Sequence, residues 1–219
     1  MKKLLLFSVL GLFGLVSAQT KFGVKGGYGL STLSIKQENN GAKLTTDAKS
    51  TFYLGGVVEH KLKGNLVLQG ELQYSSLGGK ISDSEYDGRI YIKYTGDLSF
   101  GTLLIPVSIK YYANNSLALS GGLNFGFIVS AKRETKFYNL PIEYRQYLKD
   151  EEVDIKSTVN TFNFGPFIGA EYNLKNGLFF DTRYNFGVTN LSKESNDDSK
   201  AYNNFWQIGL GYKFKWFMV

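Results

Sequence analysis

The chain has 219 residues, with 25 lysine and arginine residues against 19 aspartate and glutamate residues, and it contains no cysteine. This length fits one domain with a substantial core, and the absence of cysteine excludes a disulfide scaffold and thiol chemistry. The formal net charge of +6 comes from basic residues scattered along the chain, a distribution that does not indicate binding to nucleic acid.

The first 18 residues have the three regions of a secretory leader. Two lysines follow the first methionine, an apolar run covers residues 4–16, and Ala18 ends a small-residue stretch. This order predicts a signal peptide over residues 1–18 that is removed from the mature protein. After it, no stretch approaches the roughly 20 apolar residues of a spanning helix. If residues 19–219 span a membrane, they therefore do so as a β-barrel.

Eight segments carry apolar residues at every second position, the spacing at which the side chains of a β-strand share one face. In residues 117–130, the clearest segment, large apolar residues alternate with small or polar ones. Each segment is long enough for the roughly 9 to 11 tilted residues with which a strand crosses a bilayer core. In chain order the predicted strands are residues 21–33, 51–62, 66–77, 102–112, 117–130, 161–174, 178–190 and 204–214.

The connections between these strands alternate between short turns and long polar loops. The short turns contain glycine or asparagine, which favour tight turns, and they are residues 63–65, 113–116 and 175–177. The long loops are residues 34–50, 78–101, 131–160 and 191–203. This alternation is typical of outer-membrane barrels, in which the turns face the periplasm and the loops face outside.

Two prolines predict local irregularities in the strands. Pro106 and Pro166 each lack the N–H that a strand donates to its neighbour, so we expect a bulge or an unpaired position at each.

Asp87-Gly88 lies between two short apolar runs in the second long loop, a pattern typical of a hairpin. We expect that hairpin to continue beyond the membrane.

The two faces of the predicted strands differ in bulk as well as in polarity. One carries large side chains such as Phe164, Ile168 and Leu210, and the other carries glycines among charged residues. An eight-stranded lumen is only wide enough to be filled by side chains, so the small and charged face suits the interior and the bulky face suits lipid. Aromatic residues placed to form a girdle on the bulky face are Tyr28, Tyr74, Tyr111, Tyr172, Tyr184, Trp206 and Tyr212.

Nine charged residues fall on the predicted inner face. They are Lys25, Lys61, Lys110, Arg183 and Lys213, with Glu59, Glu71, Glu171 and Asp181. Because an unpaired buried charge costs several kcal/mol, this nearly balanced set predicts an ion-pair network that fills the lumen. A narrow conducting pore, and hence a small diffusion porin, remains the alternative interpretation.

The sequence predicts no catalytic residue, cofactor or metal site. His60 is the only histidine. Its position in the two-residue alternation, its parity, places it on the lipid face near the turn at 63–65, with no acidic partner fixed beside it. The acidic stretches at 150–154 and 196–198 lack the spacing of a calcium-binding loop. A lipid-modifying barrel enzyme therefore stays a distant alternative.

Basic residues in the third and fourth loops suggest contact with the phosphates of lipopolysaccharide at the outer rim. They are Lys132, Arg133, Lys136, Arg145, Lys149, Lys156, Lys193 and Lys200. Outer-membrane lipid and lipopolysaccharide are thus the predicted partners of a monomer, together with an unidentified surface ligand of the loops.

Four segments resemble the outer-membrane β-barrel domain family, whose members are described as porin-like or PorT-like. They are the first strand opening at 23–27, residues 105–112, residues 181–190 and the glycine-rich last strand at 209–214. The resemblance covers essentially the whole mature chain and implies an all-β, eight-stranded antiparallel up-and-down transmembrane β-barrel in the bacterial outer membrane. It carries over no catalytic residues, and it adds a PorT-like role in a secretion apparatus to the possible functions.

Overall fold

The computed structural model describes residues 19–37, 42–86, 91–138, 149–193 and 199–214. Within these ranges the chain forms ten β-strands and one short 3-10 helix at Lys156–Thr158. The strands are β1 (Thr20–Gln37), β2 (Lys43–Thr45), β3 (Lys49–Lys61), β4 (Leu66–Tyr86), β5 (Tyr91–Tyr112), β6 (Leu117–Tyr138), β7 (Glu151–Asp154), β8 (Phe162–Asn173), β9 (Leu178–Asn185) and β10 (Ser199–Lys213). No helix among the described residues has the length and apolar character to cross a membrane. The predicted leader lies outside the described residues and stays a prediction.

Eight of the strands close into a ring. β1, β3, β4, β5, β6, β8, β9 and β10 each pair with the next in antiparallel orientation, and β10 returns to pair with β1. The closing ladder runs from Gly23 opposite Lys213 to Gln37 opposite Ser199. The short strands β2 and β7 extend the sheet outside this ring by pairing with β1 and β6. The predicted eight-stranded antiparallel up-and-down barrel is confirmed.

The three short turns lie together at one end of the ring, which we call the turn end. Gly64 and Gly177 have φ angles of 65° and 99°, a left-handed backbone that glycine adopts without a steric penalty. In the turn between β5 and β6, the side-chain oxygen of Asn114 accepts the N–H groups of Ser116 and Leu117 at 2.9 and 2.8 Å. The long connections all lie at the opposite end, the loop end.

Several strands continue further toward the loop end than the sequence predicts. β4 and β5 pair as far as Tyr86 opposite Tyr91, and β5 and β6 pair as far as Lys93 opposite Tyr138. The predicted hairpin therefore exists as a long extension of the sheet, although Asp87-Gly88 itself lies outside the described residues. Much of the second and third loops is strand because the backbone hydrogen bonds continue beyond the apolar alternation.

β9 is shorter than predicted, ending at Asn185 rather than at residue 190. Beyond it the continuous ladder gives way to separate backbone and side-chain hydrogen bonds. The hydroxyl of Thr189 lies 2.9 Å from both the N–H and the carbonyl of Phe164 in β8. The N–H of Gly187 donates to the side chain of Asn204 at 3.0 Å.

The two prolines affect the ladders differently. Around Pro106 the register between β4 and β5 skips two residues of each strand, so an unpaired position occurs there, while the register shift itself falls between Gly101 and Thr102. Pro166 stays in register with β6, and its carbonyl accepts the N–H of Phe186 at 2.9 Å on the β9 side. Because the β8–β9 ladder begins only at the next residue, the missing N–H of Pro166 removes no ladder bond.

The bulky apolar face points away from the centre of the ring, as predicted. Phe52 and Leu54 are 73% and 72% exposed, and Ile168 is 60% exposed. Glycines on the other face make room for large side chains that cross the interior. A Cβ on Gly209 would overlap the hydroxyl of Tyr53, and one on Gly211 would overlap the ring of Phe179.

The interior changes character from the turn end to the loop end. The half near the turns is filled by charged and amide side chains, described below. Above it lies a buried apolar group of Leu77, Leu104 and Phe205. The loop end holds a larger apolar cluster, whose buried members are Leu33, Phe100, Ile128, Ala131, Val159 and Leu191.

Gly209→Val is expected to destabilise the barrel because the new side chain would collide with Tyr53 and approach Asp181, whose Oδ1 lies 2.8 Å from the position of the Cβ. Overpacking of this kind costs about 1–3 kcal/mol. The matched control is Gly121→Val, since the Cβ at that outward position meets no atom within 4 Å. Thermal unfolding followed by circular dichroism in detergent measures both variants. Equal melting temperatures for the two would contradict the assigned inner face.

Candidate functional site

The charged residues nearest the turn end form a closed group, the turn-side cluster, of Glu59, Lys110, Glu171 and Lys213. The ammonium groups of Lys110 and Lys213 each lie 2.8 Å from Oε1 of Glu59. Both ammonium groups also bond to the carboxylate of Glu171. Each carboxylate thus contacts both lysines, and the formal charges of the cluster cancel.

A second group, the central cluster, lies next to it and consists of Lys25, Glu71, Asp181 and Arg183. Nζ of Lys25 is 2.6 Å from Asp181 and 3.3 Å from Glu71. Nη2 of Arg183 is 2.5 Å from Glu71 and 3.5 Å from Asp181. This cluster is also formally neutral, and its contacts join β1 and β4 to β9 across the interior.

Eight of the nine predicted lumen charges belong to these two clusters, and all eight are buried. Lys61 is the exception, because its side chain is exposed. It is the last residue of β3, so it has the inward parity but lies where the interior opens at the turn end. Without it, the two clusters hold four positive and four negative side chains instead of the predicted five and four. The prediction missed a further buried cation, Lys49 of β3, which pairs with Asp97 nearer the loop end.

Amide side chains complete the central cluster, and the sequence reasoning missed them. Gln69 and Gln73 both donate to the carboxylate of Glu71, and Gln207 donates to Gln73 at 3.4 Å. All three are buried. The available signal was parity, because Gln69 and Gln73 flank Glu71 at two-residue spacing in the same strand.

Aromatic rings also lie inside, against the cations. The guanidinium of Arg183 lies 4.8 Å from the centroid of Phe167, and the ammonium of Lys213 lies 4.6 Å from that of Phe179. Such cation–π contacts are strengthened when the pair is removed from water. Both phenylalanines are fully buried, and in β8 the alternation that turns Phe164 and Ile168 outward turns Phe167 inward.

A cavity of about 550 Å³ opens at the turn end and stops at the turn-side cluster. Its walls include Lys21, Glu59, Lys61 and Tyr112. The lumen is therefore open to water at this end only as far as Glu59.

The seven predicted girdle residues all lie on the outer face, in two rows. Tyr111, Tyr172 and Tyr212 lie near the turn end, within a few residues of the turns. Nearer the loop end, Tyr184 lies opposite Trp206 in the register of β9 and β10, and Tyr28 and Tyr74 belong to the same row. The indole N–H of Trp206 donates to Thr182 at 2.7 Å. Two aromatic rows separated along the strands match the pair of interfaces that a membrane presents.

His60 is half-buried on the outer face near the turn end, with Nδ1 2.9 Å from the hydroxyl of Thr20. The acidic stretch near residue 150 forms β7, where Glu152 lies 2.6 Å from Lys132. Among the residues that the structure describes, no group of three His, Cys, Asp or Glu side chains is placed to hold a metal ion. Arg145 and the acidic stretch at 196–198 lie outside the described residues.

A closed ring of eight strands with a bulky outer face and a charged, filled interior defines a transmembrane β-barrel. Residues 17–193 match the family model described as the outer membrane protein beta-barrel domain. The chain belongs to this family, and it is a protein of the bacterial outer membrane. A comparison with curated protein sequences gives no match.

Solved structures similar to this chain include several outer-membrane barrels. Ail of Yersinia pestis, in complex with the heparin analogue sucrose octasulfate, has 16% identity and a TM-score of 0.46, over 90% of this chain and 100% of its own. Neisserial surface protein A has 12% identity and a TM-score of 0.43, over 88% and 97%. The outer membrane protease OmpT of Escherichia coli has 11% identity and a TM-score of 0.43, over 90% and 97%. Similarity at this level carries no argument about function.

Glu71→Gln is expected to destabilise the barrel strongly, because it leaves the buried cations Lys25 and Arg183 with one carboxylate between them. Breaking a buried ion pair on one side costs about 3–5 kcal/mol. The double variant Glu71→Gln with Arg183→Gln should recover much of that loss, since the remaining Lys25 and Asp181 form a neutral pair. Urea unfolding followed by tryptophan fluorescence measures each free energy of unfolding.

The matched control for this cycle is the exposed pair Lys132–Glu152, whose side chains are about half exposed. Exposed ion pairs contribute at most about 1 kcal/mol, so Lys132→Gln and Glu152→Gln should have small effects. If Glu71→Gln behaves like the control pair, the central cluster does not exist as described.

Proposed function

We propose that this protein is a non-enzymatic outer-membrane barrel whose lumen is closed to ions and whose loop end performs its role, either structural or in surface interaction. The observation that carries the proposal is the filling of the lumen by two neutral ion-pair clusters with an apolar group above them. The four connections at the loop end, and the strands that extend into them, form the part that is presented outside the cell.

The filling of the interior supports a closed lumen and argues against a diffusion porin. An ion entering from the turn end reaches the turn-side cluster, where each charged group already has two partners of opposite charge. Beyond the central cluster it would meet Leu77, Leu104 and Phe205, which offer no polar atom in place of its hydration shell. Small eight-stranded barrels are generally filled in this way.

The architecture also supports a monomer in contact with lipid. Closure of β1 on β10 satisfies the backbone groups of both strands, so the ring has no free edge that would require a partner chain. At the outer rim, Lys36 and Lys200 lie directly opposite each other in the register of these strands. Two cationic side chains at this height would suit the phosphates of lipopolysaccharide.

Neither a lipid-modifying enzyme nor a component of a secretion apparatus has an observation in its favour among the described residues. His60, the only histidine of the chain, lies at the turn end beside a threonine hydroxyl, away from the loops. A role in a secretion apparatus would need a partner surface, and the turn end offers only short turns around a polar cavity.

We expect no stable conductance when the purified protein is inserted into a planar lipid bilayer, because both clusters must be disrupted before an ion can pass. Insertion is verified separately by the protection of the barrel from added protease in the same lipid. Reproducible single-channel openings by fully inserted, folded protein would instead favour the diffusion porin.

A further inference from the structure

A cavity of about 240 Å³ lies at the loop end, on the far side of the apolar group from the charged clusters. Apolar side chains make most of its wall. They come from β1, β5 and β10, from the residues next to the 3-10 helix, and from the segment that follows β9. They include Leu33, Leu98, Phe100, Ile155, Leu191 and Ala201. The hydroxyl-bearing Thr158 and Ser192 complete the lining.

The wall segments of this cavity are fixed by backbone hydrogen bonds. The N–H of Ile155 donates to Ala131 of β6 at 2.9 Å, and that of Leu191 donates to Ala201 of β10 at 2.8 Å. The two segments are joined to each other, since Asn160 donates to Leu191 at 2.8 Å and Lys193 to Thr158 at 3.0 Å. These wall segments are therefore anchored to the barrel and to each other by backbone hydrogen bonds.

The polar groups next to the cavity are already bonded to one another. The side-chain amide of Asn160 donates to the carbonyls of Asn190 and Ser192 at 3.0 Å each. The hydroxyl of Thr158 donates to the carbonyl of Ile155 at 2.9 Å. With these groups bonded, the wall gives water few partners, and an apolar molecule that covers it removes apolar surface from water.

The size of the cavity defines the class of ligand. A cavity of about 150 Å³ lined by leucine, isoleucine and phenylalanine holds one benzene ring. At about 240 Å³, the present cavity has room for two fused rings or a medium-length alkyl chain, but not for a folded peptide. The buried Leu77, Leu104 and Phe205 lie between it and the charged clusters.

We propose that this cavity is a binding site for a small apolar molecule that reaches the protein from outside the cell. The proposal gives the loop end of the proposed function a ligand of defined chemistry. It does not require a closed lumen, because the cavity walls would stand unchanged in a barrel that conducts. The two proposals therefore fail separately. Conductance would contradict the closed lumen, and the absence of ligand binding would contradict the apolar site.

The test uses the full-length mature protein in lipid nanodiscs with isoleucine methyl groups labelled for NMR, and indole as the probe. Indole has two fused rings and also partitions into lipid, so the outer face supplies an internal reference. Ile35 lines the cavity together with Ile155, whereas Ile168 and Ile208 face outward. We expect saturable shifts at the first two and at most weak, linear shifts at the second two.

Ala201→Phe fills the cavity from β10 and should abolish the saturable shifts. The matched control is Ala170→Phe, because Ala170 is half-buried on the outer side of β8, where the same substitution leaves the cavity open. The unsubstituted protein already decides the question through its own isoleucines, even if Ala201→Phe fails to fold. Shifts that rise linearly and together at all four isoleucines, no shift at Ile35 and Ile155, or saturable shifts that persist in folded Ala201→Phe would each overturn the proposal.

Discussion

The closure of β1 on β10 is the constraint on which the rest of this structure depends. In the hydrocarbon of a membrane, each backbone N–H and carbonyl must find a partner within the protein, and the ladder from Gly23 to Gln37 supplies these partners at the last open edge. Once the ring is closed, side chains alternate between lipid and lumen. The eight charges of the two clusters and the glycines beside Tyr53 and Phe179 follow from that alternation.

The ion-pair clusters contribute more to the register of the strands than to net stability. Removing two charges from water is costly, and a buried ion pair often does no better than a well-packed apolar pair. A slip of one residue, however, would move an entire set of side chains to the opposite face. Arg183 and Glu71 would then point into lipid while Ile168 and Leu72 turned inward, so the clusters penalise a slip by an odd number of residues.

The sequence predicted the fold well where a pattern has one physical meaning. Period-two alternation, with glycine and asparagine in the turns, defined eight strands and their inner face, because both signals are local. Two residues show the limit of that reasoning. Lys61 has the inward parity but lies at the end of its strand, and parity does not say where the wall stops. Phe167 has the inward parity, but it packs against Arg183 of the neighbouring strand at 4.8 Å, and the pattern within one strand does not report such a contact.

The loop end was the least predictable part, since its strands continue on hydrogen bonds that leave no hydrophobic period. The apolar cluster there brings Leu33, Phe100 and Leu191 together from three distant segments, and no local pattern reports such a meeting. The molecule thus has two different interiors, a charged one that fixes the register of the barrel and an apolar one beneath the exposed connections.

The most direct measurement of which face meets lipid is an accessibility scan along β10 with spin labels on single introduced cysteines, which the cysteine-free chain allows. Accessibility to oxygen, which concentrates in lipid, should peak at positions 206, 208, 210 and 212 and fall at positions 207, 209 and 211. Accessibility that is uniform along the strand, or that peaks at the second set of positions, would contradict the account.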